Sequence, residues 1–287
     1  MRQIRAIAVL PTLFTLGNLV CGFFAIVVAA RIAKPGTIDF VPAPKLENAG
    51  QLWSSGDPTH NLLLCGVLII MAMLFDMFDG QVARLTRTAS DFGGQLDSLC
   101  DVVSFGVAPA FLLVKMCPQF TELHREAVWS IAALFACCAA LRLARFNVET
   151  DENDDHGWFA GLPTPAAAAV VASFAILSYT IRNEINFEVY RGFDWWMQRL
   201  LPLFSVGVAL LMVSRVPYPH LVTQLLRGKR SFPHVVMIVF GMVGLLTVRW
   251  YAIPILGCGY VAVPAVRSAW VSATRRRSSI SATSEAT

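Results

Sequence analysis

Four aspartates interrupt apolar sequence at fixed spacing: Asp76 and Asp79 near the end of one membrane-length run, Asp97 and Asp101 at the start of the next. An ionised aspartate at the centre of a bilayer helix costs about 2.5 to 3.5 kcal/mol, so four left uncompensated would cost about 10 to 14 kcal/mol. Residues three or four apart share a helix face, which pairs Asp76 with Asp79 and Asp97 with Asp101. Two facing helices then present four carboxylates to one site. Oxygen-only ligation suits magnesium, manganese or calcium, whereas zinc and copper favour histidine and thiolate. The chemistry these residues predict is therefore that of a divalent cation held in a membrane.

The residues between the aspartates extend this reading. From Asp76 the chain runs DMFDGQVARLTRTASDFGGQLDSLCD, that is DxxDGxxAR, eight residues, then GxxxDxxxD. Gly80 and Ala83 fall one turn after the first pair and clear a slot for a bulky ligand against the backbone. Arg84 follows Gly80 at helical spacing, and its guanidinium can reach a phosphate in the same pocket. Gly93 and Gly94 open the next helix, whose amide-rich N-terminus can approach an anion closely.

The elements that must position these residues are membrane helices. The chain of 287 residues is 56% hydrophobic and 15% charged, against about 45 to 50% and about 25% for soluble domains. An all-α polytopic membrane protein follows, a helical bundle of about eight transmembrane helices. Its apolar runs lie near residues 7–30, 61–85, 95–116, 127–147, 163–182, 197–216, 233–249 and 250–270. The last two meet at Arg249, Trp250 and Tyr251, where one long broken helix or a re-entrant pair is an alternative. Residues 1–270 read as one transmembrane domain, and 271–287 as a basic, Ser/Thr-rich disordered tail whose Arg275 to Arg277 anchor the last span. The first run, broken by Thr12, Thr15 and Asn18, is too long for a cleaved signal peptide and is expected to be retained. With the N-terminus inside, 14 of the 23 lysines and arginines fall on the inner side and nine on the outer, which places both termini and the aspartates toward the cytoplasm. Two irregular loops are expected, an outer one from Ile32 to His60 and an acidic inner one from Glu149 to Trp158. The seven cysteines read as small apolar packing residues.

The aspartate arrangement resembles the signature of the CDP-alcohol phosphatidyltransferases, with every motif position filled. The flanking segments LPTLFTLGNLVCGFFAI (10–26), DSLCDVVSFGVAPA (97–110), LRLARFNVE (141–149), GLPTPAAAA (161–169) and LMVSRVPYPH (211–220) are similar to the phosphatidylserine synthase branch of that family. The resemblance implies a helical membrane enzyme, homodimeric, that binds CDP-diacylglycerol through two divalent cations, Mg²⁺ or Mn²⁺, and transfers its phosphatidyl group to an alcohol with release of CMP. By position, Asp76, Asp79 and Asp97 would be metal ligands, with Asp101 both ligand and general base. Gly80, Ala83, Arg84 and Gly93 would line the nucleotide and diphosphate site. The implied location is the bacterial cytoplasmic membrane. The long outer loop and the extended acidic loop depart from the family pattern without touching the signature.

The acceptor is read from the remaining polar residues. A serine zwitterion requires a cation for its carboxylate and polar oxygens for its ammonium; Arg142, Arg145, Ser104 and Asn147 are suitably placed. Thr15 and Asn18 in the first span suit either hydrogen bonding between helices or contact with the diphosphate of the CDP-lipid. Other acceptors, glycerol 3-phosphate or an inositol phosphate, carry a dianion and would require a denser cationic pocket. An ion-coupled transporter is the alternative from another class. The bilayer is an expected partner and nucleic acid is not.

Overall fold

The computed structural model describes residues 6–32, 53, 57–86, 90–149, 158–184, 187–219, 254–268 and 270. Helix α1 spans Ala6–Ala30, α2 Pro58–Thr86 and α3 Asp91–Asp101. The last continues through a π-helical segment, Val102–Val107, into α4, Ala108–Met116. Helices α5 (Pro118–Glu149), α6 (Thr164–Glu184) and α7 (Phe187–Val213) follow, and residues 254–268 are also helical. A short antiparallel pair, β1 (Trp158–Ala160) with β2 (Pro217–Pro219), joins the chain entering α6 to the chain leaving α7.

Six helices among the described residues are long and apolar enough to cross a membrane. They coincide with the first six runs read from the sequence, so this is an integral membrane protein of the expected all-α class. The expected count of eight does not follow. The run at 233–249 lies outside the described residues, and of the run at 250–270 only residues 254–268 and 270 are described, all of them helical. The acidic segment after Glu149, most of the outer loop and the tail at 271–287 also lie outside them.

Local chemistry sets the helix limits. Ser90 caps α3, its side-chain oxygen accepting from the Gly93 amide at 3.1 Å, and Asp91 follows in the first turn where a carboxylate complements the helix dipole. Cys117, at φ −116° and ψ 59°, ends α4 just before Pro118, which opens α5 where its missing N–H is harmless. Pro11 lies inside α1, and Thr15 donates to the Pro11 carbonyl at 3.1 Å.

Lipid gives apolar helices no hydrophobic reason to associate, so close packing at small residues and buried hydrogen bonds hold the bundle together. Gly22 of α1 lies against Ser104 of the π segment so closely that a Cβ there would overlap it. A Cβ at Gly66 of α2 would lie 2.9 Å from the Ala172 carbonyl and 2.7 Å from Ile176 Cγ1 of α6. Gly106 packs in the same way on Ala139 of α5. These crossings seat α1 and α5 against the π segment and α2 against α6.

Candidate active site

The C-terminal part of α2 and the last turns of α3 come together. Carboxylate oxygens of Asp76, Asp97 and Asp101 there lie within 4.8 Å of one another. Asp79 and Asp101 are 5% and 6% exposed. Asp79 Oδ2 and Asp97 Oδ1 are buried with no hydrogen-bond partner. Buried carboxylate oxygens facing one another without donors repel strongly in a medium of low dielectric, and a cation among them removes that cost. The donor set is all oxygen, as hard divalent ions require. The residues present therefore fit the metals that their spacing predicts, with Asp79 bordering the three-aspartate cluster.

Helix α1 closes one side of the cluster. Asn18, fully buried, donates from Nδ2 to Asp101 Oδ1 at 2.9 Å. Thr15 is within hydrogen-bonding reach of Asp79. Ser104 is also fully buried, and its hydroxyl donates to the Asn18 carbonyl at 3.0 Å. That bond crosses the Gly22 contact and fixes α1 against the π segment. Ser104, expected beside the acceptor, thus has its hydroxyl proton engaged between helices.

At the small residues where a slot is expected, Gly80 is exposed and a Cβ there would meet nothing within 4 Å. Ala83 lies on the same helix, partly exposed. The Arg84 side chain is outside the described part of the chain. At the start of α3 the Gly93 amide is engaged by Ser90 Oγ and the Gly94 amide by the Ser90 carbonyl. Those two donors serve the cap.

A second polar layer joins α3, α5, α6 and α7. Asn147 Nδ2 donates to Ser98 Oγ at 2.9 Å, on the turn between Asp97 and Asp101. Arg142 donates to Thr164 Oγ1 at 2.6 Å and lies within electrostatic range of Asp101 and Tyr260. Arg145 reaches the Val213 carbonyl at 3.4 Å, at the exposed end of α7. The segments carrying these residues are tied by backbone bonds, Gly161 N–H to the Val216 carbonyl at 2.9 Å and Leu162 N–H to the Leu211 carbonyl at 3.0 Å. Tyr218 closes the strap by donating to the Val261 carbonyl at 3.1 Å. Of the expected acceptor residues, Arg142 and Asn147 therefore stand beside the aspartates, while Arg145 turns toward the end of α7.

The model of the CDP-alcohol phosphatidyltransferase family matches residues 8–211 of this chain. The chain belongs to that family. The match runs from α1 to within two residues of the end of α7 and includes every residue of the cluster and of the second polar layer except Val213 and the residues beyond it. Among curated relatives, a CDP-diacylglycerol–serine O-phosphatidyltransferase of Helicobacter pylori is 35% identical over 162 residues, 56% of this chain and 63% of the relative. An enzyme of the same name from Methanocaldococcus jannaschii is 38% identical over 154 residues, 53% of this chain and 62% of the relative. An archaetidylserine synthase of Methanothermobacter thermautotrophicus is 34% identical over 155 residues, 53% of this chain and 57% of the relative. The chain spans less than two thirds of the length of each of these relatives. The family is metal-dependent, in keeping with the aspartate cluster.

Ser98, Thr164 and Tyr260 join the site without being marked by the aspartate spacing. A signal for the first existed, because Ser98 lies between two aspartates one turn apart. Thr164 and Tyr260 take their place from tertiary contact with Arg142, which no spacing along the chain encodes.

Proposed function

We propose that this protein transfers the phosphatidyl group of CDP-diacylglycerol to the hydroxyl of L-serine, forming phosphatidylserine and CMP. The observation that carries the reading is the convergence of Asp76, Asp97 and Asp101 within 4.8 Å of one another, with open space at nearby Gly80, in a chain of this family. The names of the curated relatives support serine as the acceptor.

In this reading Asp76, Asp79, Asp97 and Asp101 hold two divalent cations, Mg²⁺ or Mn²⁺. When bound, those ions neutralise the diphosphate and stabilise the charge that builds on the leaving CMP. Gly80 and Ala83 leave room for the nucleotide, with Thr15 and Arg84 along the diphosphate and Gly93, whose amide serves the cap of α3, leaving space beside it. Asp101 takes the proton of the serine hydroxyl as its oxygen attacks the phosphorus next to the diacylglycerol; the bond from that phosphorus to CMP breaks. Arg142 provides the cation for the serine carboxylate, and Asn147 with Ser98 provides polar oxygens for the ammonium. Ser104 serves helix packing and Arg145 the end of α7. The chain acts as a homodimer in the cytoplasmic membrane, with both termini and the site on the cytoplasmic side, residues 1–270 forming the membrane domain and 271–287 a tail.

The test is to incubate purified protein with CDP-diacylglycerol, Mn²⁺ or Mg²⁺ and a panel of alcohols. CMP release that depends on serine supports the proposal. Release that depends on glycerol 3-phosphate or an inositol phosphate instead would keep the reaction and replace the acceptor.

A further inference from the structure

Asn18 is the one polar side chain of α1 that is fully buried, and its amide has an asymmetric environment. Nδ2 donates to Asp101 Oδ1 at 2.9 Å, while its own Oδ1 is buried with no partner. A carboxylate only accepts, so the NH₂ group must face Asp101 and the amide oxygen is directed away from it. An asparagine retained for helix packing would have both ends satisfied across the interface, because an orphaned polar atom in a membrane interior is costly. Here the satisfied end is spent on a carboxylate of the aspartate cluster. The backbone behind it is fixed as well, since Ser104 Oγ donates to the Asn18 carbonyl at 3.0 Å where Gly22 lets α1 approach the π segment.

We propose that Asn18 is a positioning residue for Asp101. It engages one carboxylate oxygen and so fixes the side-chain rotamer, which leaves the other oxygen to face the cations and the acceptor hydroxyl. Asp101 has two tasks in the reaction, and an unrestrained carboxylate on a helix could swing away from either. Asn18 acts through Asp101 and does not touch the CDP-lipid, in contrast to the diphosphate contact that its place in the first span suggests. The inference rests on the phosphatidyl-transfer reading above.

The test compares wild type with Asn18→Leu, which has nearly the same size, adds no charge and inserts into a bilayer more readily than asparagine. Loss of a hydrogen-bonding partner behind a metal ligand typically costs about 10- to 100-fold in metal affinity or activity. Accordingly kcat at saturating Mn²⁺ should fall by about 10- to 100-fold, with the KM for CDP-diacylglycerol unchanged. Mn²⁺ binding, followed by the paramagnetic resonance of the free ion in the presence of CDP, should weaken, and the melting temperature should hold or rise. Asn18→Ala, which cannot crowd the carboxylates, should show the same split. A rise in the KM for the CDP-lipid at unchanged kcat would make Asn18 a substrate contact and overturn the proposal. So would unaltered kcat and Mn²⁺ affinity, or losses that only follow a lowered melting temperature in both variants. Absence of serine-dependent CMP release from wild type would instead refute the underlying reading.

Discussion

At the scale of single residues, the arrangement separates groups that hold charge from groups that direct it. Asp76, Asp97 and Asp101 bring their carboxylate oxygens within 4.8 Å of one another, so their common role predicts a common failure. Asp76→Asn or Asp97→Asn keeps side-chain volume and removes ligand charge; turnover should vanish while the protein still inserts and elutes as wild type by size exclusion. EDTA should abolish wild-type CMP release, and added Mn²⁺ should restore it. Full activity of metal-free protein would exclude the two-cation mechanism. Asp101→Asn should reduce kcat by about 10²- to 10⁴-fold, the usual contribution of a general base, with binding of the CDP-lipid less affected. Equal collapse of binding and turnover would make Asp101 chiefly a ligand. For the acceptor, Arg142→Gln should weaken use of serine by about 1.5 to 3 kcal/mol, the worth of a charge-assisted hydrogen bond. Hydrolysis of CDP-diacylglycerol without acceptor should persist in that variant. Equal loss of hydrolysis and transfer would place Arg142 on the diphosphate instead.

At the scale of elements, the sequence marks the helices far better than their junctions. The DxxDGxxAR and GxxxDxxxD spacings put the aspartates on two helix faces, and the reversal between α2 and α3 makes those faces meet. The π segment Val102–Val107 is different: nothing in VVSFGV distinguishes it from ordinary α-helix, because the wider turn depends on how Ser104 and Gly106 seat against α1 and α5. Such segments recur at functional sites, and this one starts immediately after Asp101. The β1–β2 strap is equally hidden, since its pairing joins segments about 60 residues apart through backbone bonds that any side chains allow. Its one strict requirement is Gly161, at φ +87°, where a Cβ would press on the carbonyls of Met212 and Ser214. Gly161→Ala should therefore destabilise the fold by at least the roughly 1 to 2 kcal/mol of a left-handed non-glycine residue, read as a lower melting temperature. It should also loosen the Arg142–Thr164 contact, which hangs on the same strap, and raise the KM for serine more than that for CDP-diacylglycerol. A melting temperature equal to wild type would mean that the strap is dispensable to stability.

At the scale of the whole molecule, the chemistry lies at one end of the bundle. The C-terminal parts of α2 and α3, the first turn of α6, and the last turns of α5 and α7 all meet there around the aspartates. Glu126, in the first third of α5, belongs to the opposite end and is exposed. Composition alone makes this chain a membrane protein, and the proposed orientation rests on the bias of arginines such as Arg84, Arg142, Arg145 and Arg215, because positive charge is retained on the cytoplasmic side. That orientation would also make chemical sense, since the proposed substrate serine and divalent cations are water-soluble and must enter from an aqueous compartment. Single cysteines placed at Ser90 and at Glu126, in a background lacking the seven natural cysteines, put this to the test. Both positions are exposed, Ser90 at the cap of α3 beside the site. With intact cells, a membrane-impermeant maleimide should label the cysteine at position 126 and spare the one at position 90. Inside-out vesicles should reverse the pattern, and saturating CDP-diacylglycerol with Mn²⁺ should slow labelling at position 90 alone. Labelling at position 90 from outside would turn the molecule over, and the site would then have to draw its serine from beyond the membrane.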